Sequence, residues 1–162
     1  MRNDWEQKLN DFDPAVRRAA LEEAARAIAA GKVECAPASS IHNLHCHSFF
    51  SYNGYGYSPS CLAWKGRVAG LYAMGLVDFD VLDGVEEFLE ACDKSGLRAC
   101  AGLETRIFVP EFASREINSP GEPGVSYHMG VGFVSGAVRD DRLLIELKRI
   151  AQHRNRGMVE RI

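Results

Sequence analysis

The residues with the clearest chemistry are His45 and His47, at the end of the run Ile41-His42-Asn43-Leu44-His45-Cys46-His47. In an extended segment, side chains at i and i+2 point to the same face. The two imidazoles therefore aim at one point, as a divalent ion requires of its ligands. Cys46 falls on the opposite face and reads as core packing. Metal-ligand types also stand at the ends of later predicted strands, Asp78 and Asp80 on either side of Phe79 and then Glu104, while His128 comes at the start of the fourth strand or in the loop before it. Arg106 lies two residues past Glu104 and on its face. It is suited either to hold a phosphate by bidentate contact or to pair with a carboxylate. Asp78 and Arg106 are the candidate catalytic side chains, although Asp78 and Asp80 also have a plainer reading as helix-entry and loop-capping groups. His153, on a basic helix, reads as a solvated surface residue.

The elements that must position these side chains follow from local signals. Asp13-Pro14 opens a helix over 15–30, with an acidic N-cap, proline at the first helical position and Gly31 as the stop. A stripe of Val16, Ala20, Leu21, Ala24 and Ile28 predicts packing against a main domain. The boundaries expected are a helical extension and linker over 1–38 and an α/β domain over 39–162. Within that domain, Ile41 to His45 is the first strand, and Ser48 to Tyr57 is an aromatic loop whose tyrosines either line a substrate mouth or shield the loop. Ser58-Pro59 caps a helix running to about Met74 and stopped by Gly75. Leu76 to Phe79 is the second strand. Asp83 with Glu86 resembles a capping box for a helix over 85–94, which Gly96 stops. The third strand spans 98–109, a long loop 110–126, the fourth strand 127–134 and a last amphipathic helix 140–162. Strands alternating with helices predict βαβ units and a mainly parallel sheet, whose carboxyl edge gathers functional side chains. His45, His47, Asp78, Glu104 and His128 are then expected at one rim.

Bulk composition narrows the classes. The 162 residues are 46% hydrophobic and 25% charged, the balance of a globular chain with one good core. A net charge of -3 gives no electrostatic footprint for nucleic acid or an anionic membrane surface. No apolar run is long enough to span a bilayer, and the polar, acidic N-terminus resembles neither a secretory nor a transit peptide. Five cysteines without a C-x-x-C pair argue against a disulfide framework and a zinc ribbon, so reduced thiols and a cytoplasmic location are expected.

Taken in order, these segments resemble the PHP (polymerase and histidinol phosphatase) family. His45-x-His47, followed by Ser51 and Gly54, is similar to its H-x-H opening. Asp78-Phe79-Asp80 to Glu86 is similar to its T-D-H-D segment, Gly102-Leu103-Glu104 to its G-x-E motif, and Tyr127 to Phe133 to the H-I-L-G-Y-G strand of its phosphoesterase branch. The last helix, with Arg149, Arg154, Arg156 and Met158, resembles the arginine-studded helix that follows.

The resemblance implies the N-terminal part of a distorted (β/α)7 barrel and a metal centre that hydrolyses phosphate esters. His45 and His47 would hold the first ion, Glu104 would bridge it to a second, and His128 would serve the second. Manganese, iron or zinc suits this mixed donor set. Paired ions of this kind make hydroxide from water near neutral pH and clamp the oxygens of an in-line displacement at phosphorus. The family's third-ion histidine is replaced by Phe79, and the loop after H-x-H offers Tyr52 and Asn53, so two ions rather than three are expected. The implied substrate is a small phosphorylated metabolite or nucleotide. The alternative is a PHP-like module that keeps the scaffold but has a binding or regulatory role. About four strands would leave an open sheet edge. Three outcomes are expected to compete: a longer protein completing the barrel, self-association of two chains, or covering of the edge by the N-terminal helix and the 110–126 loop.

Overall fold

The computed structural model of the chain describes residues 4–134 and 141–161. Its elements run α1 (Asp4–Lys8), α2 (Pro14–Ala29), β1 (His42–Cys46), α3 (Pro59–Val68), β2 (Ala73–Phe79), α4 (Val85–Ser95), β3 (Arg98–Phe108), β4 (Val125–Val131) and α5 (Arg142–Val159), with a single 3-10 turn at Pro110–Phe112. The four strands form one sheet in the order β1-β2-β3-β4. The fold class is α/β, as expected.

Two helix starts behave as their sequences dictate. The Asp13 carboxylate accepts from the Ala15 amide, and the Ser58 hydroxyl accepts from the Cys61 amide, each with proline at the next position. The capping box expected at Asp83 and Glu86 does not form: the N-cap of α4 is Gly84, with no side-chain cap bond. Helix α3 also ends six residues before the expected Met74. Gly70, with φ of 69°, reverses the chain, and residues 73–75 join β2. Gly75 is thus a strand residue, and its reason is contact. A Cβ there would lie 2.5 Å from the Leu44 carbonyl oxygen, so only glycine lets β1 approach.

The first three strands are parallel and β4 runs antiparallel to β3, so the sheet is mainly parallel, as expected, with one antiparallel edge strand. The cause lies in the connection. A parallel return needs a helical crossover, whereas residues 109–124 hold only the 3-10 turn and fold back alongside β3, with the Val109 amide donating to the Gly124 carbonyl at 2.7 Å.

Met74, Leu76 and Ala101 on one face of the sheet meet Leu62, Trp64, Phe88, Cys92 and Leu97 from the helical layer. The same core takes in Leu9, Ala20, Leu21 and Ala24 of the N-terminal helices. Arg17 is buried on α2, where sequence periodicity marks only apolar residues. Its guanidinium forms a two-point pair with Glu87 of α4 at 2.9 and 2.5 Å and also donates to the Asp11 and Phe12 carbonyls. Burial alone would raise the Glu87 carboxyl, but hydrogen bonds from Arg17 and Ser60 outweigh it and hold the group below its ordinary range. The N-terminal helices therefore pack on α3 and α4, and among the described residues Ile41 and Leu44, at the edge strand β1, stay exposed. At the other edge, the Asn118 side chain takes both backbone groups of Tyr127, at 2.8 and 3.1 Å, so the long loop covers part of β4.

Candidate metal centre

The centre is built on the face of the sheet opposite the helices. A bulge lies between Asn43 and Cys46 of β1, where three residue steps oppose two in β2. Such an irregularity re-aims side chains. Here it leaves Cys46 against the helical core and sends His45 and His47 to the other face. On β3, Ala101 packs into the core, so by alternation Gly102, Glu104 and Arg106 face the same way as the histidines.

His45 Nε2 lies 3.2 Å from His47 Nε2 and 3.0 Å from Glu104 Oε2, and His47 Nε2 lies 3.4 Å from that oxygen. Among the described residues, these three form the group of ligand atoms that converges on one point. Ligand atoms around an ion with bonds of roughly 2.1 Å are themselves roughly 3.0–3.4 Å apart, so the spacing fits a divalent ion. Two imidazoles and a carboxylate also suit zinc, iron or manganese chemically. Burial, with His45 adding to it, holds the His47 imidazole below its ordinary pKa, although Glu104 acts the other way. The neutral ring, which is the ligating form, is favoured.

The support for His47 comes from Asp78, whose side chain is 1% exposed. Its two oxygens accept from the Ser48 amide and the Ser48 hydroxyl, both at 2.6 Å, which fixes the turn directly after the histidines. Burial pushes the Asp78 carboxyl up to about 6, against the pull of the Ser48 bonds. Ser51 Oγ accepts from the Phe79 amide at 3.1 Å and pins the loop to the end of β2 a second time. Asp80 adopts φ of 60°, a conformation that aspartate tolerates better than most residues, and accepts from Thr105 Oγ1 at 2.7 Å.

Known proteins carry part of this sequence. Over 75 residues, 46% of the chain, it is 36% identical to an error-prone DNA polymerase of Cutibacterium acnes, a match that spans 7% of the polymerase. A crystal structure of a Bifidobacterium adolescentis protein, provisionally assigned as a metal-dependent phosphoesterase, is 31% identical over 46% of this chain and 25% of its own, with a TM-score of 0.40. No family model matches the sequence. The chain thus spans a small part of either relative.

The other candidates from the sequence stand elsewhere. His128 pairs in register with Thr105, one residue past Glu104, so it lies on the face opposite the three converging ligands and is exposed. Met129, not His128, is the β4 neighbour of Glu104. Asp78 is on the helix-facing side and acts through Ser48 rather than at the centre. Arg106 faces the centre's side, but its guanidinium pairs with Glu122 of the long loop and lies over the Tyr127 ring. Of its two readings, the carboxylate pair is the one observed. Phe79 stacks on His47 with centroids 5.3 Å apart and planes 15° apart, and it touches Tyr52 and Tyr127. Sequence reading did not single out Ser48 or Thr105. Ser48 could have been found by its place next to His47, whereas Thr105 carries no local signal.

Proposed function

We propose that this PHP-type segment holds a divalent ion through His45, His47 and Glu104 and serves the hydrolysis of a phosphate ester of a small metabolite or nucleotide. The observation that carries the reading is the triangle of two imidazole nitrogens and one carboxylate oxygen within 3.4 Å of one another. A divalent ion there lowers the pKa of water and draws charge from a phosphoryl oxygen. The chain's residues supply the rest. Glu104 contributes negative charge from a largely buried position, burial favours the neutral form of His47, and Asp78 with Ser48 holds the turn that aims both histidines. With His128 on the other face, a second ion would rely on the other oxygen of Glu104 and on groups not gathered in this triangle. The polymerase relative makes nucleotides the first phosphate esters to test. The net charge of -3 supports a small substrate over a nucleic-acid duplex, and no helix among the described residues is long and apolar enough to cross a membrane.

The test is phosphate release from a panel of phosphomonoesters with added manganese. The reading expects manganese-dependent turnover that His45→Ala abolishes; absence of both bound metal and turnover contradicts it. Phe79 against His47 favours a second reading, in which the PHP-type scaffold binds or regulates a partner. Purified chain that stays free of metal and co-purifies with another protein would support that reading instead.

A further inference from the structure

A cavity of about 330 Å³ lies between α5, the loop after β1 and the end of β2, and one of its walls is Phe79. Its walls include Phe49, Phe50, Tyr52 and Phe79, with Lys148 and Arg154 from α5. Phe79 joins it to the centre, since the same ring stacks on His47 and lies 5.0 Å from the Tyr52 ring. The two cations differ in availability. Lys148 is paired with Asp83. Arg154 lies over the Tyr52 ring at 4.7 Å, and the Asp80 carboxylate is 4.0 Å away, too far for a hydrogen bond. Arg154 Nη2 is buried without a hydrogen-bond partner, and about a third of the side chain remains exposed. An aromatic wall beside a guanidinium with unused donors is the chemistry that takes a flat, negatively charged group. A cavity of this size is at the lower end for small organic ligands.

We infer that this cavity holds the non-reacting part of the substrate, a ring-bearing group with its own negative charge, and that Arg154 is the residue that selects for that charge. The inference rests on the phosphoesterase reading and names the class of ester that centre would accept. The ring lies along Tyr52 and Phe79, the phosphoryl group points toward His45 and His47, and the second anion accepts from Arg154. Glycerol-like phosphates would leave the aromatic wall uncovered, and uncharged aryl phosphates would leave Arg154 unpaired.

The test is calorimetric binding of two non-hydrolysable phosphonates, phenylphosphonate and 4-phosphonobenzoate, to manganese-treated wild type and to Arg154→Met, which keeps the apolar stem. A charge-assisted hydrogen bond predicts roughly tenfold or tighter binding of 4-phosphonobenzoate to wild type. In Arg154→Met that advantage should vanish while phenylphosphonate binding is unchanged. Equal affinities in wild type, or an advantage that survives in Arg154→Met, would overturn the assignment. Repeating the titrations with EDTA separates the two readings. Affinities that ignore the metal would count against the phosphoesterase centre, while the carboxylate advantage would still report on Arg154.

Discussion

Asp78→Asn isolates the cost of the charge that holds the metal turn in place. In the folded chain the Asp78 carboxyl is raised from 3.8 to about 6, first by burial. A shift of about two pH units corresponds to roughly 3 kcal/mol between the two protonation states. The sign follows from the direction. Because the folded pKa is the higher one, this group favours folding below the unfolded pKa, and that contribution is lost as pH rises from about 4 through 6. Asparagine keeps an oxygen for the Ser48 amide, and the Ser48 hydroxyl can turn to accept from the new amide. Its stability should therefore lack this pH dependence. Urea unfolding of wild type and Asp78→Asn, in EDTA, would give both curves between pH 4 and 7.5. The variant should gain on wild type by up to about 3 kcal/mol across that window. A difference that stays flat with pH would refute the assignment of a raised carboxyl at this position. Asp78→Ala serves as the contrast: it leaves the buried Ser48 amide unpaired and should lose about 1–3 kcal/mol at low pH.

Other perturbations probe the frame and the site separately. Arg17→Met leaves Glu87 largely buried without its guanidinium, so stability should fall by about 3 kcal/mol with metal affinity unchanged, as read by urea midpoint and zinc titration. Gly75→Ala places a methyl 2.5 Å from the Leu44 carbonyl and forces β1 away from β2. Since β1 carries both histidines, thermal unfolding should show about 1–3 kcal/mol of loss together with weaker zinc binding. His45→Ala should do the reverse, because its side chain is half exposed at the rim. It should lower zinc affinity by roughly a hundredfold or more and change the stability of metal-free protein by less than about 0.5 kcal/mol.

Much of the fold was legible because its signals are local. Asp13-Pro14 and Ser58-Pro59 start helices with the expected cap bonds, and Gly96 stops α4 in the left-handed conformation. The errors arose where a distant contact decides. Ala73, Met74 and Gly75 look like the end of a helix, yet Leu44 across the sheet needs that glycine in a strand. The direction of β4 depends on whether residues 109–124 make a crossover, which their prolines and glycines alone do not reveal. The site divides the same way. His45 and His47 share a face through their spacing, and Glu104 joins them through the alternation of β3. The side His128 takes is set by its register against Thr105, which no residue near it encodes. Buried Arg17 looks like a solvated helix residue because its partner, Glu87, is 70 positions away.

The central claim is that His45, His47 and Glu104 together hold one divalent ion. X-ray absorption spectroscopy of the zinc-treated chain, in parallel with Glu104→Gln, tests it most directly. The structure predicts bound zinc with two imidazole nitrogens and at least one oxygen at roughly 2.0–2.2 Å, and marked loss of zinc from the variant. Failure of the wild type to retain zinc, or a sulfur neighbour at roughly 2.3 Å indicating Cys46 as a ligand, would contradict it.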